Sequence, residues 1–334
     1  MKQYNVAIVG TGAVGQALMD VLSERRFPIG KLKLLATSRS AGKQVKFNNE
    51  ILTIEETKPD SFQGVDIALF AGGSASKEFA QDAVKAGAIV IDNSNNFRMD
   101  PSVPLVVPEV NPEDVKWHNG IIANPNCSTI QMAVVLKPLH DAAGISRVVV
   151  STYQAVSGAG AEAIEELREQ SRDILAGKEA NPQVFPHQIA FNVIPHLDVF
   201  LENDYTKEEM KMVNETKKIL GDDTVAVTAT TVRAPVVNGH SEAINVQLKN
   251  ELLPDDARKL LAKSPGILVI DTPKNNEYPL PVAANGRDEV FVGRIRRDET
   301  VEFGLNLWVV ADNLRKGAAT NAVQIAELLT KGML

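Results

Sequence analysis

The chain has 334 residues, of which 44% are hydrophobic, and its 35 basic and 42 acidic side chains give a net charge of −7. Acidic and basic residues alternate along the sequence, which leaves no basic stripe for nucleic acid and no polybasic membrane anchor. One cysteine, no export signal and an opening apolar run too short to span a bilayer predict a cytoplasmic protein of about two domains.

A glycine-rich turn follows the first predicted strand, residues 6–9. It has the form G-x-G-x-x-G and consists of Gly10, Thr11, Gly12, Ala13, Val14 and Gly15. The apolar spacing of residues 16–25 predicts a helix directly after it. In this order of strand, turn and helix, the glycines allow a pyrophosphate to approach the helix N-terminus, so a dinucleotide site is favoured over a fortuitous glycine turn.

The second predicted strand, residues 31–36, ends where a ribose-binding carboxylate would stand in an NAD site. Ser38 and Arg39 stand there instead, and their hydroxyl and guanidinium groups suit a 2′-phosphate. NADP is therefore the predicted cofactor, and a solvated loop arginine is the alternative explanation of Arg39.

Strands and helices continue to alternate as far as residue 126, which predicts a doubly wound parallel sheet. The predicted elements are strands at 65–70 and 88–91 and a helix at 78–86. The loops at the strand ends are 71–74, 92–98 and 124–127. They should converge beyond the carboxyl ends of the strands, where ligands bind in such sheets. Arg98 is a candidate anion-binding residue in one loop, with an ordinary surface arginine as the alternative.

Cys127 is the only cysteine of the chain, and the apolar residues 128–136 predict a buried helix after the break at Pro125. Unpaired N–H groups and the positive end of the helix dipole lower the pKa of a thiol at such a position. A nucleophile and a small buried hydrophobic residue are both consistent with this placement.

The remaining sequence predicts a β-rich second half with mixed or antiparallel pairing. Predicted strands are 147–156, 225–232, 243–248, 267–270, 290–294 and 301–310, and predicted helices are 161–175, 206–220 and 312–329. Thr206 and Glu209 form a capping box at the start of one helix. The segment 177–198 contains three prolines and has no assignment. His240 is the histidine best placed to emerge at a sheet end, and a structural histidine is the alternative.

Seven segments, in order and over essentially the whole chain, resemble the aspartate-semialdehyde dehydrogenase family. They are VAIVGTGAVGQ, DNSNNFRM, ANPNCSTIQM, TYQAVSGAGAEA, the Glu-Glu-x-Lys helix, TTVRAPVVNGHSEA and DNLRKGAATNAVQIAELL. The resemblance implies an α/β protein with a doubly wound (Rossmann) NADP-binding domain and an α+β catalytic and dimerisation domain with a mostly antiparallel or mixed sheet. The first would span 1–126, completed by a C-terminal helix at 313–334, and the second 127–312. A homodimer is also implied.

Carried over position by position, the resemblance makes Cys127 the acyl-thioester nucleophile and His240 the acid/base, with Gln154 orienting the acyl group. The implied substrate contacts are Arg233 for the carboxylate, Glu208 for the amine, Arg98 and Lys211 for the phosphate, and Asn126. The implied NADP contacts are the residues of the glycine turn, Ser38, Arg39, Ser157, Gly158 and Asn313, and no metal is implied. Asn95 departs from the family's Asn-Ser-Ser-x-Phe-Arg loop, and we expect adjusted phosphate contacts there.

The implied reaction is NADPH-dependent reductive dephosphorylation of L-aspartyl 4-phosphate to L-aspartate 4-semialdehyde, in the biosynthesis of lysine and diaminopimelate, threonine and methionine. It requires a His240 pKa near neutrality for proton transfer. The alternatives are N-acetylglutamyl-phosphate reductase, a glyceraldehyde-3-phosphate dehydrogenase, or a non-catalytic NADP-binding or redox-sensing protein. Glu208 and Arg233 favour a free amino-acid end, and the lack of a resolving cysteine weakens the redox-sensing alternative.

Overall fold

The computed structural model describes residues 2–331. The strands are β1 Tyr4–Val9, β2 Ile29–Ala36, β3 Gln44–Phe47, β4 Glu50–Glu56, β5 Ile67–Phe70, β6 Ile89–Asp92, β7 Ile121–Ala123, β8 Ile145–Gln154, β9 Ala226–Arg233, β10 His240–Leu248, β11 Ile267–Val269, β12 Val290–Asp298 and β13 Gly304–Ala311. The helices are α1 Ala13–Glu24, α2 Gly73–Lys85, α3 Cys127–Ala143, α4 Ala161–Leu175, α5 Lys207–Leu220, α6 Pro254–Ala262, α7 Pro281–Ala284 and α8 Thr320–Thr330. A π-helical turn, Arg315–Ala319, precedes α8.

The described chain divides into two compact units, one of residues 2–126 with 318–331 and the other of residues 127–317. The first unit contains a seven-stranded sheet in the order β3-β4-β2-β1-β5-β6-β7. Every neighbouring pair is parallel except the β3–β4 hairpin, which confirms the doubly wound sheet. The end of the helix predicted at 313–334 lies outside the described residues.

The core of the first unit forms because its central strands are apolar on both faces, as buried parallel strands require. Val6 and Ile8 of β1 pack with Leu34 of β2 and with one face of α1 and of α8. A fully buried aliphatic side chain of this kind contributes roughly 1.5–3 kcal/mol. The strands β3 and β4 were not predicted, since most of their residues are exposed or half-buried and many are charged.

The second unit contains a six-stranded sheet in the order β11-β12-β13-β10-β8-β9. Pairs β8–β9 and β11–β12 are parallel, and the other three are antiparallel, so the predicted mixed sheet is confirmed. Helix α3 packs against β8, β10, β12 and β13, flanked by α5 and α6. This helix is buried on almost every side from Ser128 to Leu136 and continues through Pro138, beyond the predicted end.

Two side chains of α4 hold the segment that had no assignment from sequence. Glu166 accepts hydrogen bonds from the backbone N–H groups of Gln183, Val184 and Phe185. Gln170 Oε1 accepts from the backbone N–H groups at positions 189 and 190, at 2.9 and 3.1 Å. Glu166 is buried although it is acidic, because its carboxylate, rather than water, accepts the hydrogen bonds of this loop.

The Glu166→Gln substitution is expected to lower the free energy of unfolding by about 1–3 kcal/mol, because the new amide group would face backbone donors with a donor of its own. Urea denaturation followed by circular dichroism measures this loss. Glu169→Gln is the matched control, since Glu169 is exposed on the same helix. Equal urea midpoints for the two variants would contradict the proposal that Glu166 holds this loop.

Candidate active site

Cys127 is the first residue of α3, is half-buried, and is not part of a disulfide. The π-turn packs tightly against it: a Cβ atom built on Gly317 would lie 3.0 Å from Cys127 Cβ. Only glycine therefore allows this approach without displacement. The cysteine position is set by the helix on one side and by the π-turn on the other.

His240 is the first residue of β10 and its side chain is fully buried. The backbone N–H of Ala155 donates a hydrogen bond of 3.0 Å to Nδ1, so the neutral ring carries its proton on Nε2. Burial and the positive charge of Arg233 lower the pKa of His240 to about 3. The expected pKa near neutrality is therefore wrong for the free protein, because sequence gives no measure of burial.

Gln154, the last residue of β8, joins His240 to the acidic side chain of α5. Its Nε2 donates to Glu208 Oε1 at 3.2 Å and lies 3.5 Å from His240 Nε2. Glu208 is buried despite its charge, being 7% exposed. The structure thus brings together three residues that are far apart in the sequence.

Lys211 lies one turn after Glu208 on α5 and makes two ion pairs. Its Nζ is 2.9 Å from Glu208 Oε2 and 2.9 Å from Asp198 Oδ2. Burial alone would lower the Lys211 pKa, but Glu208 and Asp198 together raise it. Asp198 was missed from sequence, because it lies in the unassigned segment and no motif connects it with Lys211.

Arg233, the last residue of β9, is 8% exposed. One terminal nitrogen donates to the carbonyl oxygen of Ala155 at 2.6 Å, whereas Nε is buried with no acceptor among residues 2–331. Burial lowers the Arg233 pKa, and the negative charges of Glu208 and Cys127 partly offset that effect. By reciprocity, Arg233 favours the Cys127 thiolate, and its unused donor fits a carboxylate.

Three predicted cofactor contacts also lie in the second unit. Asn313 Nδ2 donates to Ser157 Oγ at 2.9 Å, and Asn313 Oδ1 accepts from the backbone N–H of Gly239 at 2.9 Å. A Cβ atom on Gly158 would stand 3.2 Å from an Arg233 nitrogen and 3.3 Å from His240 Cε1. Gly158 thus lies directly against two predicted substrate and catalytic residues.

In the first unit, the strand-end loops converge as predicted. Asn96 Nδ2 donates to the carbonyl oxygen of Gly73 at 2.7 Å, and Asn124 Nδ2 donates to Asn93 Oδ1 at 2.8 Å. Burial raises the pKa of Asp92 at the end of β6. The loops after β5, β6 and β7 therefore form one polar cluster at a single edge of the sheet.

Arg98 is buried in this cluster rather than exposed, so the surface-arginine alternative is wrong. Its Nε donates to the carbonyl oxygen of Asn124 at 2.9 Å, and one terminal nitrogen donates to that of Asn93 at 2.8 Å. Asn126 is also buried, whereas Asn95, which departs from the family pattern, is exposed. The fixed guanidinium group is suited to binding an anion.

The glycine turn fits a dinucleotide. Gly10 has φ of +101°, and a Cβ atom on Gly15 would lie 2.0 Å from the Gly10 carbonyl oxygen, so both positions require glycine. Nothing lies within 4 Å of a Cβ atom built on Gly12, which precedes α1 without a side-chain cap. The space and the helix N–H groups suit a pyrophosphate. After β2, Ser38 and Arg39 are exposed and accessible to a 2′-phosphate.

The described residues 2–331 contain neither a candidate metal centre nor a helix able to span a membrane. No cluster of three or more His, Cys, Asp or Glu side chains there is arranged to hold a metal ion. None of the helices in the same range combines the length and apolar character needed to cross a membrane.

Comparison with known proteins identifies relatives along the whole chain. Residues 5–118 match the family profile "Semialdehyde dehydrogenase, NAD binding domain", and residues 136–316 match "Semialdehyde dehydrogenase, dimerisation domain". Aspartate-semialdehyde dehydrogenase of Aquifex aeolicus is 61% identical over 334 residues, covering 98% of each chain.

Solved structures agree with these relatives. Aspartate semialdehyde dehydrogenase II of Vibrio cholerae, complexed with ASA, is 48% identical with a TM-score of 0.97 and full coverage of both chains. The Candida albicans enzyme with NADP is 27% identical with a TM-score of 0.77, again with both chains fully covered.

Proposed function

The chain belongs to the aspartate-semialdehyde dehydrogenase family, and from this premise we propose that it reduces L-aspartyl 4-phosphate to L-aspartate 4-semialdehyde with NADPH and release of phosphate. One observation carries the substrate assignment. The buried Nε donor of Arg233 has no acceptor among the described residues. The negative charges of Glu208 and Cys127 lie close enough to raise the Arg233 pKa. An amino acid carries a carboxylate for Arg233 and an ammonium group for Glu208 on one α-carbon, and the electrophilic acyl carbon of aspartyl 4-phosphate lies at the other end of the same side chain.

In the first step, the Cys127 thiolate attacks the acyl carbon of the substrate, and the carbon–oxygen bond to phosphate breaks. The electron pair leaves with phosphate, and an acyl-thioester remains on Cys127. We assign Arg98 and Lys211 to the leaving phosphate and Asn126 to substrate binding on the strength of the family resemblance. For Lys211 this requires the phosphate to compete with Asp198 for the ammonium group.

NADPH, when bound, supplies the hydride that reduces the thioester. Negative charge then develops on the former carbonyl oxygen, and the Nε2–H group of neutral His240 is the donor available to it. Collapse of this oxyanion re-forms the carbonyl bond and expels the Cys127 thiolate, so no proton has to leave His240. Gln154, which is held by its hydrogen bond to Glu208, would orient the acyl group.

The resemblance assigns acid/base chemistry to His240, and Arg233 can change the His240 pKa. Arg233 is a cause of the low His240 pKa in the free protein. A substrate carboxylate bound to Arg233 would cancel that charge and raise the His240 pKa. The proton affinity of His240 would therefore be coupled to occupancy of the carboxylate site.

We assign NADP binding to residues 1–126 with 313–334, and catalysis and dimerisation to residues 127–312. The glycine turn, Ser38 and Arg39 would hold the dinucleotide together with Ser157, Gly158 and Asn313. The NADP-bound relative from Candida albicans supports the choice of cofactor, and the dimerisation-domain match supports a homodimer. The reaction would serve lysine, diaminopimelate, threonine and methionine biosynthesis in the cytoplasm.

The test is an absorbance assay of the purified protein in the oxidative direction. Aspartate semialdehyde, phosphate and NADP together should generate NADPH, and omission of phosphate should prevent it. Turnover of N-acetylglutamate semialdehyde, with none of aspartate semialdehyde, would overturn the assignment.

Arg39→Ala is expected to weaken NADP binding by about 10- to 100-fold, the loss of one charge-assisted hydrogen bond, with little effect on NAD. Titration of each dinucleotide, followed by protein fluorescence, gives the two dissociation constants. Lys43→Ala is the matched control, because it removes an exposed positive charge from the same segment. Equal weakening of NADP and NAD by Arg39→Ala would remove the proposed 2′-phosphate contact.

A further inference from the structure

A second layer of buried polar side chains lies beneath the Cys127–His240 pair. Side chains four residues apart share one face of a helix, and side chains two residues apart share one face of a strand. Gln131 therefore lies one turn below Cys127 on α3, and Glu242 lies one position below His240 on β10. We call Gln131 and Glu242 the inner layer.

The inner layer is fully enclosed, since both side chains have 0% exposure. Neither carboxyl oxygen of Glu242 has a hydrogen-bond donor among residues 2–331, and neither has Gln131 Oε1. These three acceptors are thus enclosed by protein without a hydrogen-bond donor assigned to any of them. An ionised carboxylate without a partner is very costly there, whereas a protonated one supplies the missing donor.

No charge in the neighbouring strands compensates Glu242. Its partners across the sheet are Thr152 on β8 and Val309 on β13, and both are uncharged. Gln131 is the polar side chain that lies beside the carboxyl group, and burial raises the Glu242 pKa well above its usual value. An ionised Glu242 would therefore be a buried negative charge without a compensating positive charge on either neighbouring strand.

We propose that Glu242 is a positioning residue that keeps its carboxyl proton and donates it to Oε1 of Gln131, fixing α3 to β10 beneath Cys127 and His240. The other end of the Gln131 amide completes the link, because Nε2 donates to the backbone carbonyl oxygen of His240 at 3.4 Å. The helix that carries the nucleophile is thereby joined to the strand that carries the histidine.

A neutral inner layer serves the chemistry in two ways. It holds the two reacting side chains in register, and a displacement of about 1 Å can cost roughly 100-fold in rate. It also keeps a negative charge away from Cys127, where a carboxylate would raise the thiol pKa. The effect on turnover rests on the proposed function, whereas protonation and thiol reactivity are measurable on the protein alone.

Protonation is tested by infrared difference spectroscopy at neutral pH. The wild type should show a carboxylic-acid C=O band that is absent from Glu242→Gln, and subtraction removes the contribution of other buried acids such as Asp92. Identical spectra in this region would show that Glu242 is ionised and would overturn the proposal.

Thiol reactivity gives an independent reading of the charge on Glu242. The pH dependence of Cys127 alkylation by iodoacetamide should be the same in the wild type and in Glu242→Gln, because both carry a neutral group. A lower thiol pKa in the variant would mean that a negative charge had been removed, which contradicts the proposal.

Positioning is tested with Glu242→Leu, which removes the donor and should lower kcat by about 10- to 100-fold with little change in KM. Glu242→Gln, which retains a donor, should keep most of the wild-type kcat. Ile244→Val, one position further along the same face of β10, is the control for lost packing. Gln131→Met replaces Glu242→Leu if that variant does not fold.

If the kcat of Glu242→Leu equals that of the Ile244→Val control, Glu242 has only a structural role. If the wild type does not turn over aspartate semialdehyde, the proposed function fails, and the infrared and alkylation results still decide the state of Glu242.

Discussion

Replacing Cys127 by alanine is expected to abolish NADPH formation from aspartate semialdehyde, phosphate and NADP, with a loss of about 10⁴-fold or more in kcat. Alanine has no atom that can form the acyl-thioester, and water in the site is a poor substitute for a thiolate held at a helix N-terminus near Arg233. The absorbance assay measures the loss.

Cys127→Ser is the matched control for this variant, because it preserves size and polarity but supplies a weaker nucleophile. Both variants should bind NADP with wild-type affinity in the fluorescence titration. Mass spectrometry of the wild type mixed with aspartyl phosphate should show one acyl group on the peptide that contains Cys127. Turnover by Cys127→Ala near the wild-type rate would contradict the nucleophile assignment.

His240→Asn is expected to lower kcat by about 10²- to 10³-fold, the usual loss when one preorganised donor to an oxyanion is removed. Acylation should be less affected than reduction, because the thiolate is favoured by the helix terminus and Arg233. Rapid-quench measurement of phosphate release, compared with NADPH consumption in the same mixture, separates the two steps. An unchanged kcat would leave His240 with a structural role.

The low pKa of His240 also fixes the sign of a pH effect. Between pH 3 and 6.5 the unfolded chain binds a proton that the folded protein excludes, so acidification destabilises the fold. His240 should contribute about 1.4 kcal/mol per pH unit to the slope of the unfolding free energy near pH 5, and His240→Asn should remove that contribution. His187→Asn is the control, because His187 is exposed and its loss should leave the slope intact.

Features set by neighbours in sequence were predictable. The glycine turn and the helix Ala161–Leu175 follow from local periodicity and turn residues. The capping box is confirmed in the same way, since Glu209 N–H donates to Thr206 Oγ1 and Glu209 Oε2 accepts from Thr206 N–H. Each of these features is determined by residues that are close together in the sequence.

Features that depend on distant partners were not predictable. Glu166 looks like a solvated helix residue until the loop at 183–185 folds over it. Asp198 acquires a role only because α5 brings Lys211 beside it. The His240 pKa depends on burial and on the charge of Arg233 on another strand, and no local pattern reports either. In each case the missing information was the identity of the partner.

The close approach of Gly317 to Cys127 has a consequence for biosynthesis of the protein itself. The ribosome delivers the cysteine well before the glycine, with nearly the whole second unit translated in between. The nascent chain therefore carries Cys127 without its neighbour in the π-turn until β13 and the π-turn have emerged. Truncated chains that end before the π-turn would contain Cys127, Gln154 and His240 but would lack the glycine that packs against Cys127.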